Sequence, residues 1–415
     1  MLSRALAPQV EAAERLRPIP LLDWQRMVMD EAARFNVLSV GRRSGKTYLC
    51  QDLAEGPALA GLPVAWYAPT YKDMLEVWRD VRHRLYPVTK RVSVQDHRIE
   101  LDSGGVIEFW SLENRDAGRG RKYARAVIDE AAMIPRLMEV FSLVIRPTLI
   151  DYTGDAWFPS TPRGLNDFWL MYRLGMDPTE PDWYCYSAPS SVNPTLPDGE
   201  LDAARRTMTD LRYRQEILAE FVDMVGSVFR NVDECATATA RPPEDGHRYV
   251  AGVDLAISGD HTVVVVLDVT DPAAPRQVYL DRWTGVPWPV QLDRIAETAS
   301  AYHVDMLEVD RTGLGDRPFE ELGDRLPGRQ LWGVAFNNAN KQGMVQALAL
   351  ALEQGSLAIL PDPVQVGELK AYEADRLPSG KFTYSAPGGQ HDDCVSALML
   401  AYDAASSEPW GPAAY

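Results

Sequence analysis

Cysteine is sparse. Cys50, Cys185, Cys235 and Cys394 are the whole supply in 415 residues, too far apart for a CxxC zinc pair or a disulfide framework, so a reducing compartment is expected. Long apolar runs are missing as well. Nothing approaches the roughly 20 residues that span a bilayer. Glu11, Glu14, Arg15 and Arg17 interrupt the opening stretch, where a secretory signal needs an uncharged core. A cytosolic chain without membrane contact is expected. Positive charge is in deficit: 42 Lys and Arg stand against 59 Asp and Glu, a net −17. That balance excludes a protein that coats nucleic acid by bulk electrostatics and confines any polyanion contact to a local groove. No internal repeat is present. What remains is a globular composition, 46% hydrophobic and 24% charged, in a chain long enough for two cores.

The first half alternates short apolar strands (36–40, 64–68, 125–128, 156–158, 183–187) with helix-like segments (47–60, 72–85, 135–145), an order that predicts a mostly parallel sheet covered by helices. Around 227–246 the pattern dissolves into Thr, Ala, Pro and charge, the composition of a linker. Three successive strands follow (249–256, 262–268, 277–284), then helix 290–302, strand 306–309, helix 317–326, strand 330–334, helix 341–354, strand 357–359 and a last helix from 393 to about 403. A three-strand meander followed by α/β units is the layout of a ribonuclease H-like domain with a mixed sheet. The expected division is 1–226, a linker at 227–246, and 247–415 with a short C-terminal tail.

GRRSGKT (41–47) follows a predicted strand and opens a predicted helix, the context that a Walker A phosphate loop requires. Backbone N–H groups of Arg42, Arg43, Ser44 and Gly45 and the helix N-terminus can cradle phosphate oxygens, Lys46 can bridge the β- and γ-phosphates, and the Thr47 hydroxyl can ligate Mg²⁺. VIDEA (127–131) supplies the partner strand: Asp129 to hold Mg²⁺ through water and Glu130 to polarise the attacking water. ATP is therefore the expected nucleotide. Gln25 stands where helicase-like ATPases read the adenine edge, or is a surface glutamine. Ser160 and Thr161 of STPRG (160–164) stand at the end of another strand, as in a motif that senses the γ-phosphate, or form an ordinary polar turn. The run Arg115, Arg119, Arg121, Lys122 and Arg125, interleaved with Gly118 and Gly120, can supply an arginine finger, contact a phosphate backbone, or be a solvated face.

In the second half Asp254 lies within the first meander strand among apolar residues, where a carboxylate needs a partner or a metal. Asp310 ends the fourth strand, and Asp392 and Asp393 open the last helix, where an N-cap role competes with a ligand role. In a ribonuclease H-like topology these acids converge. An oxygen-only set suits Mg²⁺ or Mn²⁺ for two-ion phosphodiester hydrolysis. Asp260 and Glu308 are auxiliary candidates.

Together these motifs, with WQ (24–25), the junction AEFVDMVGSVF (219–229), VDRTGLGD (309–316) and HDDCVSALMLA (391–401), resemble the large terminase subunits of tailed double-stranded DNA bacteriophages over nearly the whole chain. The resemblance implies an ASCE-type P-loop ATPase that drives viral DNA into a procapsid and a nuclease that cuts the concatemer. It assigns Lys46 and Thr47 to nucleotide and Mg²⁺, Asp129 to the Walker B acid and Glu130 to the catalytic base. It makes Arg119 an arginine finger, and Asp254, Asp310 and Asp392 or Asp393 the nuclease acids. It further implies a portal protein, a small terminase subunit and double-stranded DNA as partners, a homo-oligomeric ring during packaging, and residence in the cytoplasm of a bacterial host. Two other readings compete: a cellular helicase–nuclease, and a nucleotide-gated DNA-binding assembly factor with inactive sites.

Overall fold

The computed structural model describes residues 19–222, 226–256, 261–312, 316–328, 330–376, 382–387 and 391–407. The chain divides into two compact units, one up to residue 224 and one from 225.

The first unit is built on an eight-stranded sheet: β1 (Phe35–Val40), β2 (Pro63–Ala68), β3 (Thr89–Ser93), β4 (Arg98–Leu101), β5 (Val106–Ser111), β6 (Arg125–Ile128), β7 (Asp155–Ser160) and β8 (Trp183–Ala188), in the order β3-β4-β5-β2-β6-β7-β1-β8. The six strands from β5 to β8 in that order pair in parallel, and β3 and β4 form an antiparallel edge. Central strands such as β1 are buried on both faces, which is why they read as continuous apolar runs. On one face Leu49 and Leu53 of helix Lys46–Leu59 and Trp78 of helix Tyr71–Leu85 pack on Trp66 and Leu38. On the other, Leu137, Phe141 and Phe168 pack on Phe35 and Phe158. The helix expected over 135–145 is instead a short α-turn, Leu137–Val140, running into a π-turn, Phe141–Ile145.

The second unit has a five-stranded sheet of order β12-β11-β10-β13-β14, where β10 is Tyr249–Asp254, β11 Thr262–Asp268, β12 Arg276–Trp283, β13 Met306–Asp310 and β14 Gln330–Val334. β10 is central, antiparallel to β11 and parallel to β13. Helix Trp288–Ala301 buries Leu292 and Ile295 in the core on one face, and helix Asp393–Ser406 packs on β10, β11 and β13. The expected strand at 357–359 is a single bridge between Ala358 and Arg276. A small sheet adds β9 (Gly226–Ser227), β15 (Glu373–Arg376) and β16 (Phe382–Ser385). Residues 227–246, read from composition as a linker, include a helical turn, Val232–Cys235, and bond onto this unit: Val228 N–H to Tyr372 O, Ala238 N–H to Ile359 O and Ile359 N–H to Cys235 O.

Candidate functional site

The phosphate loop joins the carboxyl end of β1 to helix Lys46–Leu59, the place where parallel α/β sheets bind ligands. Gly45 at φ 99° turns the chain into the helix, and Arg43 also adopts a left-handed φ. Lys46 is buried, its Nζ donating to Val40 O (3.2 Å), Gly41 O (3.3 Å) and Thr161 Oγ1 (2.9 Å). Thr47 is exposed at the helix start. Strand order does the rest. β7 lies between β6 and β1, so the residues that end it reach both neighbours. Thr161 meets Lys46, and the Ser160 hydroxyl donates to Glu130 Oε2 at 3.2 Å.

Glu130 follows β6 in a left-handed conformation (φ 45°) and stands 4.0 Å from Lys46 Nζ. Asp129 is buried, and its Oδ1 accepts from Glu130 N–H at 2.9 Å. Burial, then the adjacent Glu130 charge, pushes the Asp129 carboxyl up to about 7. Gln25 is buried as well. Its Nε2 donates to Gly45 O (2.9 Å) and its Oε1 accepts from Leu22 N–H (2.6 Å), so in this structure it props the loop from beneath. Arg42 is tied to Glu216 through backbone and side chain. Arg119 is exposed and pairs with Asp116 at 2.8 Å; Gly118 and Gly120 sit in left-handed turns, and a Cβ on Gly118 would strike the Tyr67 hydroxyl.

In the second unit Asp254 and Asp310 end the adjacent parallel strands β10 and β13. Helix Asp393–Ser406 crosses β10 at Gly252, where a Cβ would lie inside 3.0 Å of the Ala397 carbonyl oxygen and the Ala401 nitrogen. Only glycine admits that approach, and the approach sets the head of the helix against Asp254. Burial raises the Asp254 carboxyl well above the usual range, reinforced by Asp310, Asp393 and Asp392 in that order, with a hydrogen bond from Ser396 opposing. Asp392 occupies the N-cap position but makes no capping bond with its side chain. The capping role falls to Glu368, whose Oε2 accepts from Cys394 N–H at 2.8 Å. Asp392 Oδ2 faces Lys341 Nζ at 3.7 Å, and Asp393 is buried. Such an oxygen donor set fits Mg²⁺ or Mn²⁺, whose charge would relieve the repulsion that Asp254 carries. Glu308 does not join the acids. It is buried one pleat further down β13, where burial and Asp403 push it up to about 8. Asp260 lies outside the described residues.

Sequence reasoning missed His261, which stands just before β11 beside Asp254, and Lys341 and Glu368, which helices Asn338–Gln354 and Pro363–Ala371 bring to the acids. Charge near a motif was the only available signal, and none of the three lies in a motif. Among the described residues, the close group of three metal-competent side chains is His261, His391 and Asp393.

A P-loop ATPase unit with Lys46, Asp129, Glu130, Ser160 and Thr161 at the ends of three neighbouring strands, followed in one chain by a ribonuclease H-like unit with converging carboxylates, defines a two-domain ATPase–nuclease fold. The Terminase RNaseH-like domain family matches residues 251–405. The large terminase subunit of Thermus virus P23-45 is 31% identical over 434 residues, 91% of this chain and 86% of that protein. Among solved structures, the large terminase of a thermophilic bacteriophage aligns over 93% of this chain and 99% of its own, with TM-score 0.60 and 13% identity. The same protein in complex with ADP gives TM-score 0.58 at 15% identity over 94% and 100% of the two chains. The chain belongs to the large terminase subunits of tailed phages. No helix among the described residues is long and apolar enough to cross a membrane.

Proposed function

We propose that this chain is a viral DNA-packaging motor that hydrolyses ATP to move double-stranded DNA into a procapsid and cuts concatemeric DNA with its second unit. The observation that carries the reading is the junction at the end of β7, where Thr161 bonds Lys46 and Ser160 bonds Glu130. A γ-phosphate arriving at Lys46 competes for the same ammonium as Thr161, so nucleotide occupancy is felt at the loop that also holds the base. Arg42, Arg43, Ser44 and Gly45 bind phosphate oxygens, Thr47 and Asp129 serve the Mg²⁺ of the nucleotide, and Glu130 takes the proton of the attacking water. Arg119 stabilises developing charge, and its exposure supports delivery to a neighbouring subunit in a ring. Asp254, Asp310, Asp392 and Asp393 would hold divalent ions, which supply Lewis-acid stabilisation and a deprotonated water when bound. DNA, a portal protein and a small terminase subunit are the partners.

Glu130→Gln tests the motor half. ATP binding by the full chain should persist while turnover falls about 10²–10⁴-fold, the usual worth of a general base. Lys46→Ala should lose turnover altogether, and Mg²⁺-dependent plasmid cleavage should survive both changes. Near-normal ATP turnover by Glu130→Gln would remove the base assignment.

A further inference from the structure

His261 precedes β11 and His391 precedes the last helix, yet both turn toward one carboxylate. His261 Nδ1 lies 3.5 Å and His391 Nδ1 3.7 Å from Asp393 Oδ2, and one donor atom from each of the three residues falls within 4.8 Å of the others. Bonds of about 2.0–2.1 Å at a tetrahedral angle separate two ligand atoms by roughly 3.4 Å. The observed spacings are close to that value. The two rings meet edge to face, 5.2 Å between centroids and 85° between planes, and each brings its Nδ1 to the same carboxylate oxygen. Asp393 Oδ2 also accepts from His261 N–H at 3.4 Å, which fixes the carboxylate in place.

We propose that His261, His391 and Asp393 form a second kind of metal site, one that takes a borderline divalent transition ion such as Co²⁺ or Zn²⁺. Two imidazoles and one carboxylate are the donor chemistry of such ions, whereas Mg²⁺ prefers oxygen alone. The inference shares Asp393 with the nuclease reading and uses no other residue of it. Arg282 Nη2 stands 3.1 Å from His261 Nδ1. An ion at that nitrogen replaces the guanidinium, which has Glu368 Oε1 at 3.9 Å as its other partner. His391 is the most exposed of the three, so an ion would reach the group from its side.

The test is a titration of the full-length chain with Co²⁺ alone, followed by visible absorption. The native chain should show the ligand-field bands of imidazole-bound Co²⁺. His261→Gln and His391→Gln should each remove those bands and weaken Co²⁺ binding at least about tenfold, with Mg²⁺-dependent plasmid cleavage kept within a few-fold. Bands and affinity unchanged in the double variant, or no imidazole bands in the native chain, overturn the proposal. So does loss of Mg²⁺-dependent cleavage with Co²⁺ binding intact, because the imidazoles then act only to position Asp393. A histidine-dependent Co²⁺ spectrum in a native chain that cleaves nothing in Mg²⁺ supports the site and removes the nuclease reading instead.

Discussion

Asp129 carries a carboxyl that burial and Glu130 drive up to about 7 from an ordinary 3.8. Between those values the folded chain holds a proton that the unfolded chain has released. The contribution of this one carboxyl to stability therefore falls as pH rises from about 4 to 7 and changes no further above that. Asp129→Asn keeps the oxygen that accepts from Glu130 N–H and removes the charge. In chelator at pH 8 it should stabilise the chain by up to about 4 kcal/mol, while at pH 4 the two proteins should unfold together. Thermal unfolding across pH checks this; a gain as large at pH 4 would place its cause elsewhere. The grouping of Asp129, Glu130 and Lys46 was legible in the sequence because each stands beside a strand end, and the strand order sets β6 and β1 on either side of β7. Gln25 was legible as a residue near the loop, but not its bonds to Leu22 and Gly45. The competition at Asp392 and Asp393 was open because capping predicts the same residue type as metal binding. It took Glu368, from a helix that sequence reading did not find, to relieve Asp392 of the cap.

At the level of elements, apolar composition announced most strands, the edge strand β8 among them, but neither the buried β5 (VIEFWS) nor the charged antiparallel edge. β1, β2, β6 and β7 are apolar and appear where expected, but β3 (TKRVS) and β4 (RIEL) are short, charged and half exposed, so nothing in their composition separates them from loop. The helix expected over 135–145 satisfied helical spacing, yet it ends in a π-turn before Pro147, where the backbone has lost a donor. The contact between β10 and helix Asp393–Ser406 yields a sharper expectation. Gly252→Ala puts a methyl group against backbone atoms of Ala397 and Ala401, which cannot swing aside. The helix must move, carrying Asp393 away from Asp254. Gly252→Ala should cost about 1–3 kcal/mol and reduce Mg²⁺-dependent cleavage far more than ATP turnover. Equal loss of both activities would point to general unfolding, and a native melting temperature would contradict the close approach.

For the whole molecule, the segment 227–246 shows how composition misleads about tethering. Its Pro, Thr and charge read as linker, yet Phe229 stacks on Tyr372 and Val232 and Cys235 are buried. A fragment of residues 225–415 should thus be more stable than one of 247–415, by at least about 3 kcal/mol for the large apolar side chains lost; denaturant unfolding of the two decides. Arg119 belongs to this scale too, because the proposed delivery to a neighbouring subunit needs an assembly. Arg119→Ala should lower ATP turnover while leaving nucleotide affinity alone. Mixed rings of Arg119→Ala and Glu130→Gln subunits should regain some turnover, since an intact base then meets an intact arginine. Mixed rings without rescue would confine the arginine to its own subunit. The sheet order of the second unit has a consequence for synthesis. β10 pairs first with β11, its neighbour in sequence, whereas Asp310 arrives on β13 after a long crossover and Asp393 on the last helix. On the ribosome, the hairpin can form while Asp310, Asp392 and Asp393 are still unmade, so under the proposed nuclease reading a nascent or prematurely terminated chain holds one carboxylate of the cluster and cannot assemble the centre.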